Sequence, residues 1–198
     1  MILKTGDILL FSETPTNCCM RCFDRVIQKW TMSIYSHSAL VVVDPPWAPD
    51  CKGTFVWEST WHGVKDPQDG LRKFGVQLTP IHFYFKQYPG KVSIWVRKHT
   101  FKDVFTDEAL TRLHAKVYRH PYDTRIKDWI SAAFNYPIQR QTECFTCSAF
   151  VSFILTELNI LNTNTCWTTV SAAQFSSKRQ HLDWVKKYTR EQFIGCFN

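Results

Sequence analysis

The sequence has no long apolar run, and its first residues do not resemble a leader segment. No stretch approaches the ~18 consecutive apolar residues of a membrane-spanning helix, and residues 1–7 lack the basic region and apolar segment of a signal peptide. We therefore expect a soluble protein that is made without secretion and stays in the cytoplasm. Repeats, linkers and low-complexity segments are also lacking, which predicts one domain spanning residues 1–198.

An acidic excess is lacking too, because 24 Lys and Arg outnumber 17 Asp and Glu and give a formal net charge of +7. The basic residues are scattered, which is compatible with an anionic membrane surface as a partner. No recognition motif accompanies the charge, so we expect no specific nucleic-acid partner. A content of 44% hydrophobic and 15% aromatic residues is ample for a packed core, so the eight cysteines are not needed as disulfides and we expect mostly free thiols.

Hydrophobic periodicity predicts strands in the first half of the chain and helices mostly in the second. Strands are predicted at 6–11, 37–43, 54–60, 75–81 and 91–98. Helical spacing occurs at 18–30, 106–118, 129–134 and 147–159, followed by a turn at 169–175 and an amphipathic segment at 184–193. This order is typical of an α+β domain.

Cys147 opens the predicted helix at 147–159, directly after Thr146, whose hydroxyl can cap the first turn. A cysteine at this position lies among backbone N–H groups that have no partner within the helix. These groups favour a thiolate and can later hold an oxyanion, so Cys147 is the predicted nucleophile. The apolar face of the helix consists of Phe150, Val151, Ile154 and Leu155.

A thiolate nucleophile needs an imidazole base and a polar group that orients the base. His37 opens the strand at 37–43, and Glu58 lies near the end of the strand at 54–60. If these two strands are adjacent, the carboxylate can reach the ring across the sheet, fix its tautomer and stabilise the imidazolium. The sequence therefore predicts a triad of Cys147, His37 and Glu58.

Five short motifs occur along about residues 5–160. They are Gly6-Asp7-Ile8-Leu9, Ser36-His37-Ser38-Ala39-Leu40-Val41-Val42, Val56-Trp57-Glu58-Ser59, Pro121-Tyr122-Asp123 and Cys147-Ser148-Ala149-Phe150-Val151. In this order they resemble the circularly permuted branch of the NlpC-type papain-like superfamily, which includes YiiX-like proteins, a poxvirus virion-associated protein and, more distantly, lecithin:retinol acyltransferase. The resemblance implies a permuted papain-like α+β domain, with a small antiparallel sheet packed against the nucleophile helix.

The resemblance also implies residue roles. Cys147 corresponds to the nucleophile, His37 to the general base and Glu58 to the third polar residue, while Tyr122 and Asp123 correspond to a loop that shapes the cleft. The lipid-acting relatives typically have a second histidine near the base and an Asn-Cys-Glu-His type of nucleophile motif. The segment around Cys147 departs from that motif, which favours the YiiX-like and poxvirus side.

Each of these residues also has a structural interpretation. Cys147 could be a small buried hydrophobe, His37 a core histidine with satisfied hydrogen bonds, and Glu58 an exposed charge at a strand end. Cys144 is the rival nucleophile, but it precedes the capping threonine and therefore lies outside the start of the helix.

Two further patterns were weighed. Cys144-x-x-Cys147 and Cys19-x-x-Cys22 together have the ligand number of a structural zinc site, but about 120 residues separate them, so we expect no metal. The segment at 82–85 is aromatic and could wall a hydrophobic cleft. Surface or structural roles suffice for the histidines without ligand spacing, which are His62, His82, His99, His114, His120 and His181.

These patterns predict a thiol hydrolase or acyltransferase that acts on an amide or ester through an acyl-enzyme and needs no cofactor. The substrate is expected to be a peptide, an amide or a lipid ester. The alternative is a non-catalytic papain-like module that binds a lipid or a peptide. The poxvirus relative suggests a viral origin, in which case the host cytoplasm or the virion is the expected location.

Overall fold

A computed structural model describes residues 2–16, 25, 28–29, 32–123, 143–179 and 182–198. Within this part of the chain, one antiparallel sheet of six strands has the order β4-β3-β2-β1-β5-β6. The strands are β1 (Ile8–Pro15), β2 (His37–Val43), β3 (Thr54–Thr60), β4 (Gly75–Pro80), β5 (Gly90–Arg97) and β6 (Gln192–Phe197). The predicted α+β class is therefore confirmed, and β2 and β3 have the predicted bounds.

Helices cover both faces of this sheet. They are α1 (Ile81–Lys86), α2 (Asp107–Val117) and α3 (Cys147–Glu157), and two short 3₁₀ turns follow at Trp167–Thr169 and Ala172–Phe175. None of the described helices is long and apolar enough to cross a membrane.

Successive side chains of a strand point to opposite faces of a sheet, and both faces are apolar here. The face called the α3 face packs against α2 and α3, and its strand residues include Ile8, Leu10, Leu40, Val42 and Trp57. The face called the α1 face packs against Phe83 and Tyr84 of α1, and its strand residues include Leu9, Phe11, Ala39, Val41 and Val56. Because both faces are buried, the strands read as nearly continuous apolar runs.

The first two strand pairs fix where the polar residues of the triad lie. In β1 and β2, Phe11 is opposite His37, and in β2 and β3, Leu40 is opposite Trp57. By alternation, His37 shares the α1 face with Ala39, and Glu58 shares it with Val56. Both polar side chains therefore lie on the α1 face, near Phe83 and Tyr84.

Two described elements, α1 and β6, are not predicted by the sequence, and β1 extends to Pro15 beyond its predicted end at Phe11. A helix, α1, follows β4 at once, where no helix is predicted, and its six residues are mostly aromatic or β-branched. Such residues have low helix propensity, so the packing of Phe83 and Tyr84 against the sheet, rather than local sequence, maintains this turn. Within the helical spacing at 18–30, only residues 25, 28 and 29 are described, and they are helical, whereas the spacing at 129–134 lies outside the described residues.

The C-terminal segment at 184–193 is the second difference, because it runs into an edge strand, β6, that the sequence does not predict. Arg97 fixes the chain before this strand by donating hydrogen bonds to the carbonyl oxygens of Phe175, Tyr188 and Thr189, at 2.5, 3.2 and 2.8 Å. These bonds join the segment before β6 to the end of β5. The segment therefore stays extended and reaches β5 as a sixth strand.

Candidate active site

His37 is the first residue of β2, and its side chain is 8% exposed. The ring packs against Phe11 of the neighbouring strand, with ring centroids 5.2 Å apart. Its backbone position is set by the β1–β2 register, in which the amide of Ser36 donates to the carbonyl of Phe11 at 2.8 Å. The imidazole is therefore held at the end of a central strand rather than on a mobile loop.

Glu58 comes from β3 and is fully buried. One of its carboxylate oxygens, Oε2, lies 2.5 Å from Nε2 of His37, so the predicted contact across the sheet is present. The hydroxyl of Tyr84 on α1 donates to both carboxylate oxygens, at 2.9 and 2.7 Å. The carboxylate is thus fixed from two sides, and Tyr84 is a site residue that the sequence analysis missed.

Cys147 is the first residue of α3, and the helix begins as predicted. The hydroxyl of Thr146 accepts a hydrogen bond from the amide of Ala149 at 3.3 Å, which is an N-cap interaction. The cysteine side chain is buried, and its charge and hydrogen-bonding capacity are the largest causes that raise the pKa of the His37 imidazole.

The pKa values of the two buried partners move in opposite directions. Burial alone would lower the pKa of His37, but the hydrogen bonds and charges of Cys147 and Glu58 outweigh it and hold this pKa well above its ordinary value. Burial alone would raise the pKa of Glu58, but His37 outweighs it and lowers that pKa. Both directions favour an imidazolium beside a carboxylate.

Tyr84 completes this arrangement as a donor. Burial, together with the negative charge of Glu58, raises the pKa of the Tyr84 hydroxyl well above its usual range. The hydroxyl therefore keeps its proton and can only strengthen the ionised form of the carboxylate. Tyr84, Glu58, His37 and Cys147 therefore form one chain of interactions, in which Tyr84 donates to Glu58 and Glu58 faces the ring of His37.

The segment with Tyr122 and Asp123 lies next to the nucleophile helix, as the resemblance implies. The amide of Asp123 donates to the carbonyl of Phe145 at 3.1 Å, and Phe145 is two residues before Cys147. Tyr122 stacks on Trp61, with ring centroids 5.9 Å apart and planes at 11°. The segment can reach this position because Gly75 lets its backbone approach: a Cβ atom at Gly75 would meet the carbonyl of His120 at 2.1 Å.

His62 is the second residue that the sequence analysis missed. Its ring is 6.0 Å from that of His37, and its side chain is 8% exposed, so it lies inside the site rather than on the surface. Burial lowers the pKa of His62 to about 4, although the Glu58 carboxylate opposes this shift. Its spacing of four residues from Glu58, just past the end of β3, is a signal that could have pointed to it.

The remaining candidates have other positions. Cys144 is half-buried in the loop before α3, outside the helix start. The other two cysteines of the zinc interpretation, Cys19 and Cys22, lie outside the described residues. In the aromatic segment at 82–85, Phe83 and Tyr84 are buried against the site, whereas His82 is exposed.

The other described histidines form local structural contacts. Nε2 of His99 is 2.8 Å from the carbonyl of Thr5, and His114 stacks on Trp47 with centroids 4.6 Å apart. The ring of His120 is 5.8 Å from that of Phe145. These positions agree with the structural roles expected for them, and His181 is outside the described residues.

No family model and no curated protein matches this chain.

Proposed function

We propose that this protein is a cysteine-dependent hydrolase or acyltransferase acting on an amide or ester bond. One arrangement carries the proposal: the buried imidazole of His37 lies 2.5 Å from the Glu58 carboxylate, and the nearby Cys147 side chain raises the pKa of the same imidazole. A core cysteine needs no imidazole, and a core histidine needs no ionised carboxylate. The combination, placed at the start of a helix, is what thiol acyl transfer requires.

The reaction follows from the positions of these atoms. The Cys147 sulfur, whose proton His37 holds, attacks the carbonyl carbon. The carbonyl oxygen becomes an oxyanion, and the amides of Cys147 and Ser148, in the first turn of α3, are positioned to stabilise it. His37 then gives its proton to the leaving amine or alcohol, which departs and leaves a thioester on Cys147.

The second half of the reaction returns the enzyme to its starting state. Water or another acceptor loses a proton to His37 and attacks the thioester, and the Cys147 sulfur is released while His37 keeps that proton. Hydrolysis and acyl transfer differ only in the acceptor. Glu58 stabilises the imidazolium in both halves, and Tyr84 holds Glu58 in position.

A permuted papain-like domain is the finer fold that this proposal favours. It is supported by the order His37, Glu58, Cys147 along the chain and by the packing of α3 over β2 and β3. Tyr122 and Asp123, bonded next to the nucleophile, are proposed to shape the cleft. The substrate is proposed to be a peptide, another amide or a lipid ester.

The test is the rate at which iodoacetamide alkylates each cysteine at pH ~6.5, where a free thiol of pKa ~8.5 is about 99% protonated. Peptide mapping resolves Cys147 from Cys144. We expect Cys147 to react at least ~10-fold faster than a free thiol and to lose this advantage in His37→Ala. His82→Ala is the matched control, because it removes an exposed histidine from α1.

Equal alkylation rates for Cys147 in the wild type and His37→Ala would overturn the catalytic proposal. If Cys147 is also no faster than a free thiol, the interpretation as a binding module takes its place. If both cysteines respond alike to His37→Ala, the effect comes from general unfolding, which circular dichroism of each variant would show.

A further inference from the structure

A second group of ligating side chains adjoins the triad. Glu13 on β1, His37 on β2 and His62 after β3 each contribute one nitrogen or oxygen, and these three atoms lie within 4.8 Å of one another. Nε2 of His62 is 3.7 Å from Oε1 of Glu13. The group is built by the sheet, because β1 and β2 are hydrogen-bonded neighbours and His62 follows the strand next to them.

His62 gives an independent sign that this group receives a ligand. Its Nε2 atom is buried and makes no hydrogen bond to any described residue, while the side chain is only 8% exposed. A nitrogen removed from water without a partner is unfavourable in a folded protein. The rings of Phe83, Tyr84 and Tyr88 have their centroids 5.5 to 6.0 Å from that of His62, and Glu13 lies beside the same imidazole.

The carboxylate of Glu13 is also oriented towards this group of ligating atoms. Its side chain is buried on the α1 face, and the hydroxyl of Tyr88 donates to Oε2 at 3.1 Å. The other oxygen, Oε1, is the one that faces His62. A carboxylate with one oxygen held by a phenol and the second turned towards an imidazole matches the outer support that metal-ligating carboxylates commonly have.

We propose that Glu13, His37 and His62 bind a divalent transition-metal ion of the zinc type. Two imidazoles and one carboxylate are a ligand set that Zn²⁺ takes, with bonds of about 2.0 to 2.2 Å. In a tetrahedral ion such bonds place neighbouring ligand atoms about 3.3 Å apart, close to the 3.7 Å between His62 and Glu13. Imidazole nitrogens disfavour Mg²⁺ and Ca²⁺, which prefer oxygen ligands.

A bound ion prevents the reaction proposed for Cys147, His37 and Glu58. Nε2 of His37 faces Glu58, and the same ring interacts with Cys147, so an ion bound to this ring replaces an interaction that the triad needs. The metal is therefore a reversible inhibitor, and the chain changes between a metal-bound latent form and a metal-free reactive form. The metal site stands without the proposed function, whereas the inhibition depends on it.

The test uses Co²⁺ as a spectroscopic substitute for Zn²⁺, added alone to the full chain. Co²⁺ with tetrahedral nitrogen and oxygen ligands gives visible d–d bands, whereas cysteine ligands add a thiolate charge-transfer band in the near ultraviolet. The variants are His62→Phe, which keeps the aromatic packing, and Glu13→Gln, which keeps the shape and the Tyr88 contact. His82→Phe is the matched control for removal of a histidine.

We expect d–d bands for about one equivalent of Co²⁺ without the thiolate band, displacement by Zn²⁺, and an affinity lower by at least ~10-fold in both site variants. The control should bind like the wild type. Absence of the bands in the wild type, a dominant thiolate band, or unchanged affinity in both site variants would overturn the metal site. Circular dichroism identifies a variant that fails to fold, and the other variant then decides.

A second readout separates the metal site from the catalytic proposal. Zn²⁺ should slow the alkylation of Cys147 in the wild type and have at least ~10-fold less effect, at equal Zn²⁺, in Glu13→Gln. If Co²⁺ binds as expected but Cys147 is no more reactive than a free thiol, the metal site stands and the catalytic proposal fails. If Cys147 is reactive and Zn²⁺ has the same effect in the wild type and in Glu13→Gln, the inhibition is wrong.

Discussion

Tyr84 is the residue that decides how firmly Glu58 is held, because its hydroxyl is within hydrogen-bond distance of both carboxylate oxygens. A hydrogen bond to a buried charge contributes about 1.5 to 3 kcal/mol. Removing the hydroxyl leaves the carboxylate with His37 as its main remaining side-chain partner. Glu58 can then rotate, and the imidazole loses its fixed orientation towards Cys147.

We therefore expect Tyr84→Phe to lower the free energy of unfolding by about 2 kcal/mol and to slow the alkylation of Cys147. Urea unfolding and the iodoacetamide assay measure the two effects. Tyr88→Phe is the matched control, since it removes a hydroxyl from the same aromatic cluster that bonds to Glu13 instead of Glu58. If Tyr88→Phe slows Cys147 as much as Tyr84→Phe does, Tyr84 has no specific positioning role.

At the scale of single residues, the sequence predicts those whose position in an element is itself informative. Cys147 follows a capping residue, and His37 begins an apolar strand, so both can be found by counting along the chain. Tyr84 and His62 cannot be found in this way, because their roles depend on how α1 packs against one face of the sheet. That information lies in contacts between distant residues, such as the hydrogen bond from Tyr84 to Glu58, which are 26 positions apart in the sequence.

At the scale of elements, the start of α3 positions the nucleophile. Thr106 caps α2 by the same interaction that Thr146 makes on α3, with hydroxyl to amide distances of 3.2 and 3.3 Å. The two helices have 11 residues each. The two helices can therefore be compared directly, because both have the same cap but only α3 begins with the proposed nucleophile.

Replacing either capping threonine by alanine should lower the free energy of unfolding by about 1 kcal/mol. Only Thr146→Ala should also slow the alkylation of Cys147, because fraying of the first turn of α3 moves the cysteine and its backbone amides together. Thermal unfolding and peptide mapping of the alkylated protein give the two quantities. If Thr106→Ala slows Cys147 equally, the effect is one of global stability and the helix start is not specific.

The elements themselves show what local sequence can determine. Strands β2 and β3 alternate or run apolar over their whole length and have clear turn residues on either side, so their bounds follow from the pattern. For α1 and β6, by contrast, the structure depends on distant partners, which are the sheet for Phe83 and the Arg97 side chain for the chain near Tyr188. The local sequences of α1 and β6 do not include these partner residues, so they cannot predict the two elements.

At the scale of the whole molecule, His114 connects several separate segments. It lies on α2, its ring stacks on Trp47 at 4.6 Å, and its Nε2 is 2.8 Å from Oε1 of Gln68. The loop with Gln68 is in turn joined to Asp66, which is fully buried and forms an ion pair with Lys73 at 2.6 Å. These contacts connect the loop after β2 and the loop before β4 to α2, which packs on the α3 face of the sheet.

The charge state of His114 should therefore affect the stability of the entire fold. Burial, together with the nearby charge of Lys73, lowers the pKa of His114 to about 4. In the unfolded chain the pKa is about 6.5, so between pH ~6.5 and ~4 the unfolded state binds the proton and the folded state does not. Stability is then expected to fall as the pH drops through this range.

The comparison of the wild type with His114→Gln tests this expectation. Glutamine keeps a neutral polar group but cannot take up the proton, so the variant should lose less of its unfolding free energy between pH 7 and pH 4 than the wild type. Urea unfolding at several pH values gives both curves, and contributions from other histidines cancel in their difference. Parallel curves for the two proteins would show that His114 is equally protonated in the folded and unfolded chains, and that its contacts with Trp47 and Gln68 do not depend on a neutral ring.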